Sequence, residues 1–96
     1  MTRVFDVLPA GEEKAVSRST LAAMLGLSDR ELRREIAGER LHGALILSTM
    51  KHGGGYFRAA SLEELRRWVN SMESRGRATF AVVSAARKYL REQGVE

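Results

Sequence analysis

Apolar residues recur along this chain at two different periods, and the switches between them divide it into segments. Val4, Phe5 and Leu8 stand at helical spacing before Pro9 and Gly11 interrupt the pattern, which predicts a short first helix within residues 1–8 and a polar loop over 11–14. Leu21, Met24 and Leu25 share one face of a second helix that opens at Arg18. Ser17 is a suitable N-cap there, Val16 and Leu21 have the spacing of a hydrophobic staple, and Gly26 can take the left-handed conformation that ends a helix. The start signal then repeats in stronger form. Ser28 and Glu31 make a capping box, Leu27 and Leu32 a second staple, and a third helix is expected from Asp29 to about Arg40, with Leu32 and Ile36 inward and Gly43 as its stop.

Beyond Gly43 the period shortens. Residues 44–48 form an apolar run rich in Ile and Leu, residues 55–59 form another containing Tyr56 and Phe57, and the glycine-rich stretch 49–54 between them predicts the tip of a β-hairpin. Ser61 and Glu64 then form a third capping box. From there Leu62, Leu65, Val69, Met72, Gly76, Thr79, Val83, Ala86 and Leu90 follow an alternating three-and-four spacing, with Phe80 beside the seam. Either one long helix reaches about Arg91 or the pattern breaks near Gly76, since a glycine inside a helix costs only about 1 kcal/mol relative to alanine. The fold expected is therefore mainly α with a small β-hairpin: residues 1–60 as one domain, and residues 61–96 as a carboxy-terminal helical extension whose seam either folds back over that domain or pairs with a second copy as a dimerisation element.

Composition narrows the function classes. The chain has 96 residues, enough for one domain, and its 44% apolar and 29% charged residues fit a folded globular protein. So short a chain leaves little room for a catalytic pocket. There is no cysteine, which excludes disulfides, thiolate zinc sites and cysteine nucleophiles. Residues 1–8 carry Arg3 and Asp6 without a long apolar run, and no stretch approaches the roughly 18 apolar residues of a membrane span, so a soluble cytoplasmic protein without a membrane partner is expected. The net charge of +4 is a modest excess. Its distribution says more.

On the third helix, an advance of about 100° per residue puts Leu32 and Ile36 on the inner side, Arg30, Arg34 and Ala37 opposite, and Arg33 on the flank. Arg40 continues the basic surface. Outward arginines on a short helix suit a major groove, because a guanidinium bonds two acceptors on a guanine edge or grips phosphate. The competing explanation is an ordinary solvated face, with Glu31 and Glu35 close enough to neutralise part of the charge.

The tight helix–glycine turn–capped helix of residues 17–40, followed by a hairpin with Gly53, Gly54 and Gly55, resembles the winged helix-turn-helix family over roughly residues 1–60. It is similar to small prophage-type DNA-binding proteins and to the DNA-binding domain of biotin-dependent repressors. That resemblance implies a third helix that reads the major groove and a hairpin wing that touches the backbone or minor groove through Lys51 and His52. Arg30, Arg33 and Arg34 are then expected to contact bases and phosphates, and Arg40, Lys51, His52 and Arg58 mainly phosphates. No effector or catalytic domain is expected within these 96 residues, so ligand sensing by them is not implied.

Other chemistry is weakly supported. The glycine triplet leads into a strand rather than a helix, unlike a phosphate-cradling loop. His42 and His52 lack the further ligands of a metal site, and no patterned acid completes a hydrolytic triad, so no catalytic residue, metal or cofactor is expected. Tyr56, Phe57 and Trp68 fit a small core better than stacking platforms for single strands. The expected function is sequence-specific duplex DNA binding, as a transcription or replication accessory factor of a phage-like element. The alternative is a protein-interaction module on the same scaffold. An enzyme is a distant third.

Overall fold

The helix starts and stops form where the capping residues stand. In the computed structural model, which describes residues 3–94 and only the backbone of His52, Ser17 Oγ accepts the backbone N–H of Thr20 at 3.2 Å and opens α2 (Arg18–Leu25). Gly26 closes α2 with a φ of 67°. In α3 (Asp29–Leu41) both halves of the capping box are made: Ser28 Oγ accepts from Glu31 N–H at 3.1 Å, and Glu31 Oε1 accepts from Ser28 N–H at 2.9 Å. The preceding helix α1 is confined to Val4–Val7, and Glu12–Lys14 forms a single 3-10 turn where a loop was expected.

The strands are shorter than the apolar runs that announced them. β1 (Leu47–Thr49) and β2 (Gly55–Phe57) pair antiparallel with Leu47 opposite Phe57, and Lys51–Gly53 makes a 3-10 turn at the tip. Residues 44–46 are used otherwise. Ala44 N–H caps the carbonyl of Glu39 at 2.9 Å, and the carbonyl of Ile46 accepts from Arg40.

The hairpin does not stand alone. Val16 and Tyr56 exchange both backbone hydrogen bonds at 2.9 Å, while Arg58 N–H donates to Pro9 at 2.8 Å and Gly11 N–H to Arg58 at 2.8 Å. Residues 9–16 thus cover the outer edge of β2, the edge that would otherwise remain unpaired. Gly55 permits this approach, because a Cβ there would lie 2.7 Å from the carbonyl oxygen of Val16.

The core collects one apolar face from each element: Val4 and Leu8, Leu21 and Ala22, Leu32 and Ile36, and Ile46. Leu47 and Phe57 are buried as well, with Tyr56 half-buried against the core. One charged residue joins them. The Glu39 carboxylate of α3 is buried and accepts Val4 N–H on Oε2 at 2.7 Å and Phe5 N–H on Oε1 at 2.9 Å. α1 is too short to satisfy its own first N–H groups, and Glu39 supplies their acceptors from across the core. Burial of a carboxylate is tolerated because these are charge-assisted bonds.

α4 (Leu62–Glu92) is continuous through Gly76, which settles the question that the sequence left open. Ser61 Oγ accepts from Glu64 N–H at 3.1 Å, as a capping box requires, but Glu64 reaches back to Ala60 N–H at 2.9 Å and to Glu12 N–H at 3.2 Å rather than to Ser61. The compact units are Met1–Leu65 and Arg66–Glu96, so the first turn of α4 belongs with the helices and hairpin. The second unit is the remainder of α4, in which no residue is buried. Among the described residues no helix is long and apolar enough to cross a membrane.

Glu39→Ala is expected to destabilise the first unit by roughly 2–4 kcal/mol, since each N–H left unsatisfied costs about 1–3 kcal/mol. Glu39→Gln, which keeps one acceptor oxygen, should lose about half as much. Urea unfolding checks both: the midpoint should fall in that order while the slope stays constant.

Candidate nucleic-acid interface

Four acidic residues lie on α3, and three of them have partners within the fold. Asp29 sits between two arginines, 2.6 Å from Arg18 Nε and 3.2 Å from Arg33 Nε. Glu31 is taken by the cap: the Ser28 backbone N–H, then the Ser28 hydroxyl, hold its carboxyl below the usual range, with the charge of Arg34 a lesser contribution. Glu35 turns towards Glu39, and that contact raises its carboxyl above the usual range. Glu39 holds α1. The local neutralisation that the spacing of Glu31 and Glu35 suggested therefore does not form as ion pairs among the described residues.

The arginines divide accordingly. Arg30, Arg33 and Arg34 are all exposed, and the helical advance sets Arg30 and Arg34 opposite Leu32 and Ile36 with Arg33 on the flank. Arg30 and Arg34 make no ion pair or side-chain hydrogen bond among the described residues. Arg33 shares Asp29 with Arg18, so two positive charges meet one negative.

Two arginines expected to grip phosphate have internal partners instead. Arg40 was read as an extension of the outer surface, but its guanidinium is half-buried, donates from Nε and Nη2 to the carbonyl of Ile46 at 2.9 and 2.7 Å, and lies 5.8 Å from the centre of the Tyr56 ring. Burial lowers its pKa from the ordinary value, with Tyr56 opposing. Helical advance turns Arg40 towards β1 because Ile36 and Arg40 are one turn apart on one side of α3. Arg58 Nε donates to the carbonyl of Leu8 at 2.8 Å, and its guanidinium sits 5.2 Å from the ring of Phe5. At the hairpin tip, Lys51 is exposed and its Nζ lies 3.5 Å from Oε1 of the half-buried Glu12. His52 falls in the same turn, and its side chain lies outside the described residues. His42 is exposed at the end of α3, with Nδ1 2.8 Å from the carbonyl of Gly38.

An open cleft of about 540 Å³ lies between the start of α2, the start of α3 and the hairpin. Ser17, Arg18, Ser19, Asp29, Met50, Gly54 and Tyr56 are among the residues that line it. The sequence did not single out Arg18 or Asp29. The Asp29–Arg33 pair is readable as an i, i+4 spacing, whereas the contact with Arg18 needs α2 and α3 to meet in space. Among its described lining residues Arg18 is the one cation and Asp29 the one carboxylate, and the two are paired. Among the described residues, no three His, Asp or Glu side chains are grouped to hold a metal ion.

Compared with family models, curated proteins and solved structures, the chain matches none.

Arg40→Ala should cost about 1–3 kcal/mol, because it removes charged donors from a carbonyl beside the core. Arg30→Ala and Arg34→Ala should stay within about 0.5 kcal/mol of the parent. Urea midpoints of the three variants check the separation of holding arginines from outward ones.

Proposed function

We propose that the chain binds duplex DNA as a winged helix-turn-helix module, with α3 in the major groove and the β1–β2 hairpin against the backbone beside it. The observation that carries this reading is the use of the α3 carboxylates within the fold, which leaves Arg30 and Arg34 outward and unpaired among the described residues. At about 1.5 Å per residue, α3 is roughly 20 Å long, and a major groove about 12 Å wide admits a helix of that kind. Arg30 and Arg34 read base edges or adjacent phosphates. Arg33 and Arg18 pair with phosphate once the exposed Asp29 is exchanged for it, and Lys51 once it leaves Glu12. Arg40 and Arg58 act indirectly, by holding the chain around the hairpin.

Fluorescence anisotropy of a labelled mixed-sequence duplex across a salt series tests the proposal. Affinity should fall on a log–log plot with slope about −0.9 per phosphate neutralised. Lys51→Ala should flatten that slope by about one phosphate and weaken target and random duplex alike. Arg34→Ala should cost about 1–3 kcal/mol on a selected target and much less on random duplex. Absence of binding at low salt, or an affinity indifferent to salt, overturns the assignment.

A further inference from the structure

Along α4, Val69, Phe80, Val82, Val83, Tyr89 and Leu90 remain exposed, and no residue of the helix is buried. An isolated helix with an uncovered apolar stripe is only marginally stable in water. We propose that a second copy of this chain covers that stripe, with the two α4 helices antiparallel and Leu65 of each opposite Leu90 of the other. This inference is independent of the DNA-binding proposal.

The order of large and small residues along the seam selects the orientation. A parallel pair sets each seam residue against its own copy. Gly76 would then face Gly76, Thr79 would face Thr79 and Ala86 would face Ala86, leaving thin layers in the carboxy-terminal half while Leu65 and Met72 crowd the other. In the antiparallel register, Leu65 meets Leu90, Val69 meets Ala86, Met72 meets Val83 and Gly76 meets Thr79. No glycine then faces glycine and no alanine faces alanine, so the layers vary less in volume than in the parallel pair, with the Gly76–Thr79 layers at the centre the thinnest.

Phe80 supports the same register. It is 72% exposed beside the seam, and in the antiparallel pair its ring falls next to Gly76 of the second copy. Around Gly76 a Cβ would meet nothing within 4 Å, so the missing side chain leaves room for the ring. Trp68 and Tyr89 of opposite copies flank the outer layers, where aromatic pairs associate favourably. Covering these side chains on both copies withdraws on the order of 1,000 Å² from water, the lower limit for a specific interface. At about 1.5 Å per residue, the two Leu62 positions lie roughly 45 Å apart along the pair.

The chain lacks cysteine, so introduced thiols report without background. Light scattering of the full chain without DNA should give twice the monomer mass. Leu65→Cys and Leu90→Cys chains, distinguished by a mass tag, should oxidise mainly to the mixed disulfide when combined, and each alone should remain largely unlinked. Met72→Cys with Val83→Cys is a second pair read in the same way, with circular dichroism confirming helix content for all four. A monomer at high concentration overturns the proposal, as do ready homodisulfides of Leu65→Cys or Met72→Cys alone, which mark a parallel pair. A dimer that links neither mixed pair overturns the register.

Discussion

A buried carboxylate organises the first unit of this protein. Glu39 sits on the core side of α3 and receives the first two N–H groups of α1, a helix of four residues that has no means of satisfying them itself. The bonds work in both directions. They fix α1 over Leu32 and Ile36, and they give the carboxylate the partners without which its burial would be prohibitive. The next residue along, Arg40, holds the carbonyl of Ile46 where the chain enters β1. Two adjacent residues of opposite charge therefore anchor the elements before and after α3 to one point on its axis.

That anchoring has an electrostatic consequence on the opposite face. A helix with four acids and four arginines has no charge excess of its own, and a solvated mixture would be the default. Here Glu31 is engaged at the cap, Glu35 faces Glu39, and Glu39 faces α1, so negative charge is drawn towards the ends and the core. The arginines separate in the same manner. Arg40 and Arg58 are turned in towards backbone carbonyls and aromatic rings, while Arg30 and Arg34 are turned out. The basic face of α3 results from how the carboxylates are spent, not from an abundance of cations.

The features legible in the sequence are those that act over a few residues. Ser17, Ser28 and Ser61 mark helix starts because an N-cap bonds to an N–H three positions on, and Gly26 marks an end because it takes a left-handed conformation. Helical advance placed Arg30, Arg33 and Arg34 outside correctly. The same advance sets Arg40 one turn from Ile36, against its reading as outer surface, but the carbonyl that it bonds exists only after the chain turns back into β1. Glu39 and the Arg18–Asp29 contact were invisible for the same reason: the partners of Glu39 are 34 and 35 positions away. The strip of residues 9–16 beside β2 was equally hidden, since Ala10 and Val16 stand in no apolar run and pair only with the edge of the hairpin.

The central claim is that the outward face of α3 and the cleft beside it form one surface for duplex DNA. Backbone amide shifts recorded while an unlabelled duplex is added map that surface directly. The account expects the largest changes at residues 29–34, at Arg18 and Ser19, and at residues 50–55, and expects them to vanish when salt is raised. Changes confined to α4, or scattered over the chain without reaching residues 29–34, would contradict it.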